Sequence, residues 1–163
     1  MGLVYIDNSH SSGEISTVRD MASVIGGSVG LNMMGAIISN NSFSSLDLNS
    51  DTNHEDISYA GGWLGCSFND SYIFMKNCYT SGNVSGISSG GLIGYLDDEG
   101  EKTILIQNCY RISSQTGNST EYNGIQAENV AEIVSAMEVL WDNNIWDFEN
   151  LSEDGNPVLK EIS

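Results

Sequence analysis

The chain has 163 residues, the length of a single domain. Hydrophobic residues make up 40% of it, enough for a packed core, while 22 Asp plus Glu against 5 Lys plus Arg leave a formal net charge of −17. So acidic a chain has almost no cations to displace counterions from phosphates, which excludes non-specific nucleic-acid binding and argues against an anionic membrane surface; no run approaches the roughly 18 apolar residues of a membrane span, so no membrane insertion is expected.

The opening residues, Met1-Gly2-Leu3-Val4-Tyr5-Ile6, have neither a basic start nor a long apolar run and are not a signal peptide. Two readings follow, a protein that starts here and stays inside the cell or a piece of a longer exported chain with flanking domains, and the strand-like pattern that begins at once at Val4 favours the second. From here an internal repeat organises the sequence. Four windows align: Val4-Tyr5-Ile6-Asp7-Asn8-Ser9-His10, Ile37-Ile38-Ser39-Asn40-Asn41-Ser42-Phe43, Ile73-Phe74-Met75-Lys76-Asn77-Cys78-Tyr79 and Ile104-Leu105-Ile106-Gln107-Asn108-Cys109-Tyr110. The first two positions are apolar, the fifth is Asn, the sixth Ser or Cys, and the seventh an aromatic ring. The asparagines are 33, 36 and 31 residues apart.

A second element follows in three units: Ala22-Ser23-Val24-Ile25-Gly26, Gly61-Gly62-Trp63-Leu64-Gly65 and Gly90-Gly91-Leu92-Ile93-Gly94. On this alignment the first unit lacks the leading glycines, and the second carries an insertion from Asn49 to Tyr59. A period near 30 residues, with β-branched and aromatic runs cut by Gly and Asn, predicts an all-β solenoid whose coils stack at the spacing of paired strands. Ladders of like residues follow, among them Val4-Ile37-Ile73-Ile104 and His10-Phe43-Tyr79-Tyr110. The repeated Asn is expected at a left-handed bend with its amide bonded between coils. The paired glycines are expected at a second bend, where chains pass closely or φ is positive.

The pattern breaks near residue 127. Val130, Ile133, Val134, Met137, Leu140 and Trp141 fall at helical spacing, predicting an amphipathic helix over Ala127–Trp141 that covers the open end of the stack. Two short strands, Ile145–Phe148 and Pro157–Ile162, are expected to flank a turn at Glu153–Asn156. The whole is one domain, with solenoid repeats over 1–126 and a cap over 127–163.

Gly90-Gly91-Leu92-Ile93-Gly94, with Asn77-Cys78-Tyr79-Thr80-Ser81-Gly82-Asn83-Val84-Ser85-Gly86, resembles the GLUG repeat of bacterial surface proteins, including large adhesins and immunoglobulin A peptidases. The tail Trp146-Asp147-Phe148…Asp154-Gly155-Asn156-Pro157-Val158-Leu159 is similar to the segment that often closes such arrays. The resemblance covers most of the chain. The expected fold is a right-handed parallel β-helix of about four short coils with a C-terminal capping helix, the handedness being what the resemblance and the general crossover preference imply. The resemblance implies a secreted or cell-surface location and a non-enzymatic role as adhesin, recognition unit or rigid spacer, the family's catalytic domains lying elsewhere in longer chains. The partner would be a host or matrix glycan or protein.

Residues that carry chemistry are sparse. His10 stands at the ring position of the first unit, where stacking is expected, and His54 lies in an acidic insertion that reads as a solvated loop. Cys78 and Cys109 share one phase on neighbouring units; parallel side chains point the same way, so buried thiols are expected rather than a bridge. Asp97, Asp98, Glu99 and Glu101 surround Gly100, and hard carboxylate oxygens on such a loop suit Ca²⁺, although the spacing is not that of an EF-hand. A solvated loop is the better reading of that cluster, as it is of Asp47 to Asp56, and no cofactor is called for. Trp63, Tyr79 and Tyr110 are candidates for an aromatic sugar platform, with an inward core ladder the favoured reading. The rival to a non-enzymatic module is a polysaccharide-binding or polysaccharide-cleaving β-helix, and the scattered Arg19, Lys76, Lys102, Arg111 and Lys160 show no clustered base for cleavage.

Overall fold

A computed structural model describes residues 2–17, 22–50, 57–112 and 124–160. His54 and the acidic run from Asp51 to Asp56 lie outside the described residues. The first turn consists of β1 (Leu3–Asp7), β2 (His10–Ser16), β3 (Ser23–Gly26) and β4 (Val29–Met33). The second consists of β5 (Ala36–Asn49), β6 (Ser58–Gly61) and β7 (Leu64–Phe68), and the third of β8 (Ser71–Thr80), β9 (Val84–Ser85), β10 (Ser88–Gly90) and β11 (Ile93–Leu96). Then come β12 (Lys102–Gln107), β13 (Tyr110–Ile112), β14 (Ile125–Ala127), the helix α1 (Val130–Met137), β15 (Trp146–Asp147) and β16 (Val158–Leu159).

Every pairing among β1 to β14 is parallel and links consecutive turns, so the chain winds a β-solenoid of three complete turns. Among the described residues only the first side of a fourth turn is built, by β12 and β13, so the solenoid has about three turns where about four coils are expected. No further Gly-Gly corner follows Ile112 in the sequence; instead β14 pairs with β13 and leads into α1.

The large sheet folds into two limbs at the repeated asparagine. Asn8, Asn41, Asn77 and Asn108 have φ of 46°, 44°, 52° and 49°, the left-handed region that Asn tolerates better than other residues with a Cβ. Asn77 Nδ2 donates to Asn41 Oδ1 at 3.0 Å, and Asn108 Nδ2 donates to Asn77 Oδ1 at 3.3 Å. The amide thus replaces ladder bonds that the bend interrupts. Asn77→Ala should therefore cost about 2–3 kcal/mol, combining left-handed strain with two lost hydrogen bonds. Asn77→Gly should cost about 1 kcal/mol, because glycine removes the strain but not the bonds. Urea unfolding midpoints check the order; equal losses would mean that the backbone at Asn77 is unstrained.

Strand alternation sends Ile37, Ile73, Met75, Cys78 and Cys109 inward to Trp63, Leu64, Leu92 and Ile93, the main core. Further along the turn Ile25, Leu46, Leu48, Ala60 and Val84 form a second interior cluster. Within the Val4-Ile37-Ile73 ladder Val4 is 43% exposed against 1% for Ile37, since β1 has a strand partner on one side only.

The second corner corrects the alignment of the first unit. Gly26 pairs with Gly61, which pairs with Gly90, and Val29 pairs with Leu64, which pairs with Ile93. The equivalent of Gly61–Gly65 is therefore Gly26-Gly27-Ser28-Val29-Gly30, four residues beyond the expected segment, and all three turns carry both glycines. Close approach, not positive φ, demands them: a Cβ on Gly27 would lie 2.0 Å from the carbonyl oxygen of Gly62, and one on Gly62 2.0 Å from that of Gly91.

The tail does more than close the stack. Asn129 caps α1 by accepting the Glu132 N–H at 3.0 Å, and Glu132 accepts the Glu128 N–H at 2.7 Å. The helix is shorter than Ala127–Trp141 because Ala127 is held in β14 and the chain turns after Met137, which leaves Val139 and Leu140 exposed. Helix α1 sits beside β13 and β14, the last strands of the stack. Beyond it, the two expected short strands, β15 and β16, pair antiparallel, and Trp141 and Trp146 pack with Phe43 and Tyr79. Because Ser42 and Cys78 precede those rings and face the interior side, the Phe43-Tyr79 ladder faces outward and is buried by the tail. This corrects the expectation of an inward ladder.

Candidate functional site

The outward face of the second limb carries the ring ladder and, two residues on, a column of serines. His10 stacks on Phe43 at 5.3 Å and Phe43 on Tyr79 at 4.9 Å, with interplanar angles of 17° and 7°. Ser12 pairs in register with Ser45, and the Ser81 N–H donates to Ser44 O at 2.9 Å, which sets Ser81 beside Ser45 on the next turn. The hydroxyls of Ser12, Ser45 and Ser81 thus recur at about one interstrand spacing of 4.8 Å.

The loop between β15 and β16 crosses this face and makes it concave. Asn156 Oδ1 accepts Tyr79 O–H at 2.7 Å and Ser81 O–H at 3.3 Å, contacts that span 77 and 75 residues of sequence. Within the loop Ser152 N–H donates to Asn156 O at 2.8 Å, and Asn156 N–H to Ser152 Oγ at 3.1 Å. Between loop and sheet lies a groove of about 360 Å³ lined by the three serines, Asp47, Asp154 and Asn156. A smaller cavity of about 110 Å³ shares Ser12, Ser45, Asp154 and Asn156 and reaches His10 and Phe43. Asp47 Oδ1 accepts the Asn83 N–H at 2.7 Å and Asn83 Nδ2 at 3.0 Å, which fixes that carboxylate at the rim. The groove therefore offers serine oxygens that accept, with the Ser45 hydroxyl already donating to Ser11 O at 3.4 Å and that of Ser81 to Asn156, two carboxylates that only accept, and the exposed ring of His10 at one end.

The residues singled out by sequence fall elsewhere or play other parts. Trp63 is 1% exposed inside the main core, and Tyr79 is 0% exposed beneath the tail, so neither ring presents a face to a sugar. Tyr110 is half-buried against the same tail cluster. Burial also holds the Tyr79 hydroxyl well above its ordinary pKa, a neutral donor to Asn156. His10 stacks, as expected.

Asp97, Asp98, Glu99 and Glu101 do not gather into one site. Asp97 accepts the Asn69 N–H with both oxygens, at 3.2 and 3.0 Å, and pairs with Lys102 Nζ at 2.5 Å, while Asp98, Glu99 and Glu101 are exposed. The Glu101 N–H in turn donates to Asp70 Oδ1 at 2.8 Å, so the loop is fastened to the turn before it. Among the described residues no three His, Cys, Asp or Glu side chains stand together in a geometry that suits a metal ion. Burial opposes ionisation of Asp97, but Lys102 and the Asn69 N–H outweigh it and hold its pKa below the ordinary 3.8. A folded-state pKa below the unfolded one contributes stability above pH 3.8 that is lost as pH falls through the depressed folded value. Melting temperatures of wild type and Asp97→Asn, taken between about pH 5 and pH 2, should differ at the upper end and converge at the lower; parallel curves would refute the assignment.

The three cysteines are unbridged and buried. Cys66 is pushed up to about 12, chiefly by burial and then by the charge of Asp97. Cys109 is raised first by its hydrogen bond with Cys78 and then by burial. Cys78 bonds with Ser39 Oγ at 3.4 Å, continuing the polar column of the interior.

Sequence reading passed over Ser12, Ser45 and Ser81, yet their signal was present: each stands two places after the ring position of its repeat. Asp154 and Asn156 carried no such signal, since the tail has no counterpart in the repeat. Compared with models of protein families, with curated proteins and with solved structures, the chain matches none.

Proposed function

We propose that the chain is a non-enzymatic recognition module of a bacterial cell-surface or secreted protein, the solenoid serving as a rigid scaffold for a ligand-binding groove. The groove lined by the serine column and the tail loop carries this reading, because it is concave, polar and held by hydrogen bonds from two separate parts of the chain. Two further features support it. The groups whose proton affinity is most displaced, Cys66, Cys109 and Tyr79, are packed into the interior or beneath the tail, away from an open cleft where chemistry would use them. The Gly-Gly-x-apolar-Gly corner in all three turns strengthens the likeness to the GLUG repeat, and with it the surface location.

The test is to present the immobilised domain with host and matrix glycans and proteins, with Ca²⁺ and again with chelator, while assaying polysaccharide solutions for new reducing ends. Reproducible retention of one ligand class without new ends supports a recognition module. New reducing ends would replace it with the polysaccharide-cleaving alternative, and a blank screen would leave the solenoid as a spacer.

A further inference from the structure

Resting on the recognition reading, the geometry points to a neutral oligosaccharide as the ligand class of the tail-loop groove. Charge makes the first selection. Asp47 and Asp154 stand at the groove, no Lys or Arg lines it among the described residues, and the chain as a whole carries −17. Uronic acids, sulfated sugars and phosphates would meet repulsion there with no cation to offset it. Polarity makes the second. Hydroxyl, amide and carboxylate groups dominate the lining, which leaves a purely apolar ligand without compensation for the water it displaces.

A neutral sugar meets both conditions. Its hydroxyls donate to the two carboxylates and to the serine oxygens, whose repeat along the stack suits a ligand that repeats its own hydroxyls. His10, stacked on Phe43 and otherwise open, offers a flat ring at one end of the adjoining cavity to the apolar face of a pyranose. The groove is set before the ligand arrives. Its floor belongs to three successive turns, and its wall is tied down through Asn156, so little ordering cost remains on binding.

One other exposed surface competes for the same chemistry. The outward face of the first limb displays Tyr5 at 60% and Tyr72 at 47% exposure, with Leu105 nearby in the sheet. It is a face of a sheet without walls, and it provides the comparison that makes the assignment testable.

The experiment is an array of neutral hexose oligomers beside sulfated and uronic-acid oligomers, followed by calorimetric titration of the best neutral hit. Wild type is compared with Ser12→Val, Asp154→Ala and the pair Tyr5→Ala/Tyr72→Ala. All four positions are exposed, and circular dichroism verifies folding of each variant. The expected result is binding to a neutral oligomer that weakens about tenfold or more in Ser12→Val and in Asp154→Ala, and that survives in the Tyr5/Tyr72 pair. Binding lost only in the Tyr5/Tyr72 pair would overturn the groove and leave the recognition reading standing. A preference for sulfated or uronic oligomers would overturn the ligand class. Absence of binding to every oligomer would overturn this inference, while retention of a protein ligand in the earlier screen would keep the recognition module.

Discussion

Gly62→Ala should destabilise the protein by about 3 kcal/mol or more. The new Cβ would lie 2.0 Å from the Gly91 carbonyl oxygen and 2.9 Å from Thr80 Cβ. Neither neighbour yields without loss. The Gly91 carbonyl accepts the Thr80 hydroxyl at 2.7 Å, and Gly62 N–H donates to Gly90 O at 3.0 Å, so separating the turns breaks bonds that tie the corners together. A loss of this size is a large fraction of the roughly 5–15 kcal/mol that holds an ordinary domain. Gly2→Ala is the control, because nothing lies within 4 Å of a Cβ there. Urea unfolding of both variants decides the matter: a Gly62→Ala midpoint equal to wild type would show that the corners are not packed backbone on backbone.

Removal of the Trp146 side chain should cost about 3–5 kcal/mol, and the cost should fall on the tail. Trp146 is wholly buried, with its ring 5.6 Å from Phe43 and 4.8 Å from Trp141, and its backbone pairs with Leu159. The hydrogen bonds within the solenoid do not pass through it. Trp146→Ala should therefore loosen residues 141–160 before the turns unwind, uncovering the outward Phe43-Tyr79 ladder. Limited proteolysis should cut this variant first in the tail, and unfolding followed by far-UV circular dichroism should lag behind the change in tryptophan fluorescence. A single coincident transition at the wild-type midpoint would contradict a separable cover. Loss of the tail also removes Asn156, so the same variant should lose any ligand held in the groove.

Several elements were legible because a repeat compares a chain with itself. Asn8, Asn41, Asn77 and Asn108 recur at one phase, and their shared left-handed backbone follows from the one reason to repeat an amide at a bend. Ring stacking along His10, Phe43 and Tyr79 follows from equal phase and the interstrand spacing. The first corner was misplaced because Ser23-Val24-Ile25-Gly26 and Gly26-Gly27-Ser28-Val29-Gly30 both end an apolar step in glycine. Only the pairing of Gly26 with Gly61 chooses between them.

The same limit applies to the groove. Ser12, Ser45 and Ser81 share a phase in the sequence, whereas Asn156 reaches them across 75 residues from a tail that repeats nothing. The acidic loop shows the converse: composition favours a solvated loop with Ca²⁺ as the weaker reading, and only the fold shows Asp97 fastened to Asn69 and Lys102.

Sequence by itself determined the coil period, the parallel stacking, the Asn bend and the unbridged thiols of Cys78 and Cys109, because each depends on residue type at a phase that recurs. Tertiary structure alone decided which way the rings face, that the tail buries them from outside, and that a polar groove forms where its loop crosses the serine column. Alternation along a strand assigns residues to two faces, but which face is interior depends on how the whole turn closes, and what covers the other depends on a contact between segments distant in the chain.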